Sequence, residues 1–206
     1  MVGYGDLGRQ ILHLLAADGL PDCVAFFDNV AHARGEADCF PFDAFIDARF
    51  SDYDFYVGLG YKHLACKAQI LRALHAEGRR APSFVHPSSR IDPTCRCGQG
   101  SVIYPMCNLG QEVELGQGVL LNNSVVVSHD SRIGDAVYCS PGVVLSGRVM
   151  VGEAAFLGSG TVVSNDCRIG SNARVGIGSV VTINVPEGAS AIGNPLRLLT
   201  TPLNLQ

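Results

Sequence analysis

The chain has 206 residues and a formal net charge of −4, so it is long enough for one or two domains. Acidic residues outnumber basic ones on both sides of Arg90, and no lysine follows that position, which does not favour nucleic acid or an anionic membrane as a partner. No apolar stretch is long enough to span a membrane and no signal peptide is evident, so we expect a soluble, cytoplasmic protein.

The first predicted element is a tight turn that leads into a helix. Gly3, Gly5 and Gly8 form a G-x-G-x-x-G sequence, and the helix that follows is expected to end near Gly19. Such a turn opens dinucleotide-binding βαβ units, but it also occurs as a simple strand-to-helix turn. Only two residues precede Gly3, so we expect the first strand of the sheet to be very short.

Two further predicted strands, residues 23–27 and 55–59, end in residues suited to ligand contact. The first is followed by Asp28 and Asn29, and the second by Gly60, Tyr61 and a helix over about residues 62–77. Asp28 follows Gly8 by 20 residues, the distance at which a βαβ unit places a carboxylate near a ribose, although a strand-end cap is the alternative. We therefore predict a Rossmann-like α/β domain, residues 1–87, with a nucleotide-sized cleft at its strand ends.

From Ile91 to Ile192 the sequence repeats every six residues, which is typical of a parallel β-helix. Position one of each hexad is Ile, Leu, Val or Cys in all but the last, and position five is small. Three hexads make one triangular coil, so residues eighteen apart stack. This stacking predicts three interior columns that begin at Ile91, Cys97 and Ile103, in a second domain of residues 88–206. We expect the register to run unbroken to Ile192.

Most of the cysteines fit this register as packing residues. Five of the eight occupy the small or apolar positions, where a free cysteine behaves as a buried hydrophobe: Cys95, Cys97, Cys107, Cys139 and Cys167. The spacing of Cys95 and Cys97 does not suit a zinc pair. We therefore predict neither a metal site nor a disulfide framework.

His129 is the only histidine after His86, and it lies beside a corner of the coil rather than at a core position. Stacking places Gln111 below it and Gly147 above it, which leaves an open groove over the imidazole. An imidazole suits a general base near neutral pH, and the adjacent Asp130 is placed to orient it. The alternatives are a solvated surface histidine, and an Asp130 that joins a charge ladder with Arg148.

Several segments of the chain resemble the left-handed β-helix acetyltransferases that modify sugars. The resemblance covers nearly the whole chain and rests on residues 122–135 (NNSVVVSHDSRIGD), 140–142 (SPG), 145–147 (LSG) and 193–195 (GNP), with the glycine loop and His86-Pro87. It points to the family of sialic acid O-acetyltransferases and nucleotide-amino-sugar N-acetyltransferases, which includes bacillosamine and perosamine pathway enzymes.

The resemblance implies a homotrimer with active sites between subunits and acetyl-CoA as co-substrate. His129 matches the general base and Asp130 the acid that raises its basicity. The coenzyme-contacting positions match Gly147, Ser159 and Tyr138, the last replacing a histidine found in many members. The residues that match the region holding the nucleotide-linked sugar are Gly5, Asp6, Leu7, Asp28, Asn29, Gly60 and Tyr61.

The predicted function is N-acetylation of a nucleotide-linked amino sugar, and sugar O-acetylation is the alternative. A non-catalytic β-helix scaffold would not require a His–Asp pair beside a glycine. An NAD-binding module would explain the glycine loop but not the coil. A γ-type carbonic anhydrase would require three histidine ligands, and the coil has one.

Overall fold

The computed structural model describes residues 1–20 and 25–203. The N-terminal domain is built on a small parallel sheet in which β1 (Phe26–Phe27) pairs with β2 (Cys39–Phe40). Val2 bridges in parallel to both Phe27 and Val57, so the positions lie in the order β2, β1, Val2, Val57. The helices are α1 Asp6–Ala17, α2 Asn29–Ala33 and α3 Leu64–Ala76, with 3-10 turns at Phe42–Ile46, Ala48–Phe50 and Tyr61–His63. The predicted Rossmann-like α/β domain is confirmed.

The predicted N-terminal strands are shorter than expected. Cys23 and Val24 lie outside the described residues, and the described part of that strand is β1. Of residues 55–59, Val57 alone pairs as a bridge, because its neighbour in the sheet is the single residue Val2. The helices after Gly5 and Gly60 are confirmed as α1 and α3.

The rest of the chain forms a left-handed parallel β-helix, as predicted, from strands of two or three residues. They are β3 Phe84–Val85, β4 Arg90–Ile91, β5 Arg96–Cys97, β6 Val102–Ile103, β7 Asn108–Leu109, β8 Glu114–Leu115, β9 Leu120–Leu121, β10 Val126–Val127, β11 Arg132–Ile133, β12 Tyr138–Cys139, β13 Val144–Leu145, β14 Met150–Val151, β15 Phe156–Leu157, β16 Val162–Val163, β17 Arg168–Ile169, β18 Arg174–Val175, β19 Val180–Val181, β20 Ser190–Ile192 and β21 Arg197–Leu199.

These strands form three sheets, which are the three faces of a prism. The covered face holds β3, β6, β9, β12, β15, β18, β20 and β21, and the N-terminal domain packs on it. The valine face holds β4, β7, β10, β13, β16 and β19, and the outward residues of its last four strands are valines. The charged face holds β5, β8, β11, β14 and β17, and its outward residues are mostly arginine and glutamate.

The interior columns match the prediction almost throughout. Parallel pairing joins residues eighteen apart, for example Val127 with Leu145 and Cys139 with Leu157, and these side chains are buried. The prediction is wrong for Cys97, which is exposed, and Ile91 is only half-buried. Both belong to the first strand of their sheet, where no coil lies beneath them.

The predicted unbroken register is also wrong in the last coil, which is two residues short. Ile169 bridges to Val185 and Arg174 pairs with Ser190, each sixteen positions away. A continued eighteen-residue step would place Glu187 inside the coil above Ile169. The shorter step instead buries Val185, which is 2% exposed, and so avoids an unpaired carboxylate in the core.

Leu121→Ala should destabilise the protein by about 2–5 kcal/mol, because it removes a buried side chain from the middle of a column and leaves a cavity. The measurement is the free energy of unfolding from chemical denaturation. Met150→Ala, at an exposed position on the charged face, is the control and should change it by less than about 0.5 kcal/mol. Equal stability of the two variants would contradict the assignment of Leu121 to the core.

Candidate active site

His129 follows β10 at the corner between the valine and charged faces, and Asp130 holds its imidazole. Asp130 has a left-handed backbone with φ of 58° at this corner. Its Oδ2 lies 2.6 Å from His129 Nδ1. A carboxylate only accepts hydrogen bonds, so Nδ1 carries a proton, and in the neutral ring the lone pair is then at Nε2. His129 is therefore arranged as a base, with 52% of its side chain exposed.

Gly147 lies directly over His129, as stacking predicts. A Cβ atom at Gly147 would lie 2.6 Å from His129 Nε2, so only glycine leaves room above that nitrogen. The amide of Gly147 donates to Asn165 Oδ1 at 2.8 Å, and its carbonyl accepts from the Asp166 amide. Because its amide is already bonded, Gly147 contributes space over the imidazole rather than a backbone donor. Asn165 was not predicted as a site residue, although the eighteen-residue spacing places it above Gly147.

The predicted charge ladder forms without Asp130. Arg148 donates to both carboxylate oxygens of Asp166, at 2.7 and 3.0 Å. The hydrogen bond from Arg148 holds the pKa of the Asp166 carboxyl below its usual range. Arg148 therefore pairs with Asp166, and the Asp130 carboxylate bonds to His129 instead. On the charged face, Glu114 contacts Arg96 and Arg132, at 4.0 and 3.6 Å.

The glycine loop packs closely but leaves its middle open. A Cβ at Gly8 would overlap the carbonyl oxygen of Gly3, which has φ of 86°. At Gly5, which caps α1, nothing lies within 4 Å of such an atom. A phosphate can approach the helix N-terminus at that point. Asp6 and Leu7 form the first turn of α1, where Asp6 pairs with Arg9 at 3.2 Å.

Asp28 ties the second strand to the glycine loop. Its carboxylate accepts from the amides of Val30 and Ala31, as an N-cap of α2, and from Tyr4 at 3.0 Å. Burial raises the pKa of the Asp28 carboxyl, but these three amides outweigh that effect and lower the pKa below its usual range. Asp28 therefore acts as the strand-end cap that was the alternative to a ribose contact, and it lies at the mouth of the predicted cleft. Asn29 accepts from the Phe42 amide at 2.8 Å.

Gly60 and Tyr61 join the N-terminal domain to the coil. The space beside Gly60 is open, with only Leu7 at 4.0 Å from a Cβ built there. The ring of Tyr61 contacts those of Tyr138 and Phe156, with centroids 5.8 and 5.3 Å away. The nucleotide-binding residues predicted from sequence thus lie on the same side of the prism as the covered face.

The other predicted site residues do not meet within one chain. His129 and Gly147 lie at the corner opposite the covered face, whereas Ser159 lies at the corner between the covered and valine faces. Tyr138 is 8% exposed on the covered face, and its hydroxyl accepts from Asn122 Nδ2 at 3.4 Å, toward the same corner as Ser159. Burial raises the pKa of Tyr138 above its usual value, so its hydroxyl stays protonated. The valine face separates the two groups of residues.

No protein-family profile matches the chain, and no curated protein matches it in sequence. Solved structures are similar over nearly its full length. The acetyltransferase domain of PglB from Neisseria gonorrhoeae FA1090, in complex with acetyl coenzyme A, is 27% identical, with a TM-score of 0.85 over 96% of each chain. Perosamine N-acetyltransferase from Caulobacter crescentus, in complex with CoA and GDP-perosamine, is 27% identical, with a TM-score of 0.87 over 97% of this chain and 95% of that one.

No helix of the described residues is long and apolar enough to cross a membrane. The described residues likewise contain no group of three or more His, Cys, Asp or Glu side chains arranged to hold a metal ion.

The resemblance predicted from the sequence is confirmed by the two structures above, because both the coil and the N-terminal domain are shared. The chain is an acetyltransferase of the hexapeptide-repeat, β-helix type found among sugar acetyltransferases.

Proposed function

We propose that the enzyme transfers the acetyl group of acetyl-CoA to the amine of a nucleotide-linked amino sugar, with His129 as general base. The observation that carries the proposal is the His129–Asp130 pair, which leaves Nε2 with a lone pair below the open space at Gly147. The similar structures contain acetyl coenzyme A in one case and CoA with GDP-perosamine in the other. The open glycine loop supplies a place for the nucleotide.

In the proposed reaction, the sugar amine attacks the thioester carbonyl as His129 Nε2 removes a proton from the nitrogen. A C–N bond forms, the C–S bond breaks, and the proton passes from Nε2 to the departing thiolate. Asp130 stabilises the imidazolium through Nδ1. General-base catalysis of this kind contributes about 100-fold to 10,000-fold in rate.

The assembled enzyme is a homotrimer in this proposal, and the outer surfaces of the coil support it. The N-terminal domain packs on the covered face. The charged face carries contacts between arginine and glutamate side chains, so it can remain exposed to solvent. The valine face carries a column of apolar side chains without such cover: Val126, Val144, Val162 and Val180. In a closed ring of three, each copy buries this column against its neighbours.

A ring of three also brings the separated site residues together. With the valine faces toward the axis, the His129 corner of one subunit adjoins the Ser159 corner of the next. His129 and Gly147 then lie opposite Ser159 and the Tyr138 hydroxyl of another copy. The enzyme acts in the cytoplasm in this proposal, in line with the free cysteines of the described residues.

His129→Ala should lower kcat/KM for acetyl transfer by about 100-fold or more, because no other group takes the proton. Transfer is measured by release of the CoA thiol, with oligomer size checked by light scattering. His75→Ala, at an exposed position on α3, is the control and should keep parental activity. Parental turnover in the His129 variant would refute the catalytic assignment.

Gly147→Ala should lower acetyl transfer about tenfold or more without unfolding the coil, because the new methyl group would fall 2.6 Å from His129 Nε2. Activity is compared with the melting temperature of the same sample. Unchanged activity would show that the space over Nε2 is not used.

Val162→Glu should convert the trimer to monomers and abolish activity, because it places a charge in the apolar column. Sedimentation velocity reports the assembly. Met150→Glu is a matched control, since Met150 is 41% and Val162 40% exposed but they lie on different faces. An intact assembly in the Val162 variant, or dissociation in the Met150 variant, would contradict the proposed interface.

A further inference from the structure

Asn165 is a polar residue of the His129 corner that has no role in the reaction as described so far. The eighteen-residue spacing places it two coils above His129, with Gly147 between them. Its Oδ1 accepts from the amide of Gly147 at 2.8 Å. The exposed side chain therefore extends along the corner toward the coil below, beside the open space over the imidazole.

The bond to Gly147 determines which end of the Asn165 carboxamide is free. A backbone N–H only donates, so the oxygen of the carboxamide is bonded to Gly147 and the NH2 group is not. Within residues 1–20 and 25–203, this NH2 group donates to no other group. Asn165 thus offers a neutral donor with two N–H bonds to a ligand at the corner.

The surrounding hydrogen bonds hold this donor in place. The amide of Asp166 donates to the carbonyl of Gly147 at 3.1 Å, so both backbone polar groups of Gly147 are bonded to consecutive residues of the coil above. Arg148 binds the Asp166 carboxylate through two hydrogen bonds, at 2.7 and 3.0 Å. A donor that is fixed before the reaction stabilises developing negative charge without a cost of reorientation.

Acetyl transfer creates such a charge next to the base. When the amine nitrogen bonds to the thioester carbon, an electron pair of the C=O bond moves to the oxygen, and this oxyanion is stabilised by hydrogen-bond donors. The amide of Gly147 does not serve, because it already donates to Asn165. The free NH2 group of Asn165 is the donor that this contact leaves available beside Gly147.

We propose that Asn165 is a catalytic residue, whose Nδ2 donates a hydrogen bond to the thioester oxygen of acetyl-CoA and to the oxyanion that forms from it. The carboxamide keeps both of its protons. As the C–S bond breaks, the electron pair on oxygen re-forms the C=O bond, and the thiolate of CoA takes the proton that His129 removed from the amine. The inference rests on the proposed function, because it requires the thioester to lie over His129 Nε2.

Asn165→Asp is the decisive variant, because it keeps an oxygen for the Gly147 amide and deletes the NH2 donor. We expect kcat to fall about 100-fold or more, with a far smaller change in the Kd of CoA, which lacks the thioester. The melting temperature should stay that of the parent. The values of kcat are compared at the plateau of the pH profile, where His129 is unprotonated in each protein.

Two alanine variants separate donation from capping of a backbone amide. Asn184 accepts from the amide of Arg168 at 2.8 Å in the last coil, so Asn184→Ala removes the same kind of bond and should keep parental kcat. Asn165→Ala should lower kcat about tenfold, less than Asn165→Asp, because the Gly147 amide that it frees can donate instead. A capping role alone predicts the reverse order, since Asp keeps the bond that Ala loses. The reverse order, or parental kcat in Asn165→Asp, would overturn the inference.

An infrared measurement tests donation without any acceptor. Acetyl-CoA that is isotopically labelled at the thioester carbonyl should show a lower C=O stretching frequency on the parent enzyme than in solution, and a frequency closer to the free value on Asn165→Asp. An equal frequency on both proteins would overturn the assignment of Asn165. A parent enzyme that acetylates no nucleotide amino sugar would instead overturn the proposed function, and the infrared result would still report on Asn165.

Discussion

Parallel pairing of residues eighteen apart is the constraint on which the other features of the coil depend. Backbone amides bond between neighbouring coils, so a side chain at one corner has a fixed neighbour above and below it. Ser128 donates to Leu145 in the next coil, and Arg148 donates to His129 in the preceding one. The interior therefore becomes a set of apolar columns. The corners are places where a polar side chain can be held in a defined position without entering the core. His129 occupies such a place.

Docking of the N-terminal domain adds the second constraint. Tyr61, Tyr138 and Phe156 form an aromatic layer between the domains, and Arg72 pairs with Glu153 at 3.0 Å beside it. This packing covers one face of the prism. The glycine loop is thereby placed on the far side of the chain from His129, so in the proposed function the nucleotide of the acceptor and the proton acceptor belong to different parts of one chain.

The sequence predicts the features that follow from the eighteen-residue spacing. It misses the features that depend on which other elements lie against a residue. The position of Gly147 over His129, and that of Arg148 beside Asp166, follow from the period alone. Exposure of Cys97 does not, because it results from the end of a sheet. The short last coil was not predicted, although the last hexad has Glu187 at position one, where the other hexads have an apolar residue. The cost of burying that carboxylate accounts for the shift in register. Nothing in the pattern indicates which face the N-terminal domain covers, so the contact of Tyr61 with Tyr138 and Phe156 could not be predicted.

The proposed function has a consequence for specificity. The position of the His129 imidazole is set by Asp130 and Gly147 within the coil, so in this proposal the coil supplies a proton acceptor that is the same for every acceptor sugar. Discrimination between acceptors then depends on the N-terminal domain, where Gly5 and Gly60 leave open space beside the glycine loop. Substitutions beside that open space are therefore expected to change which acceptor is used, whereas a substitution of His129 is expected to lower the rate with every acceptor.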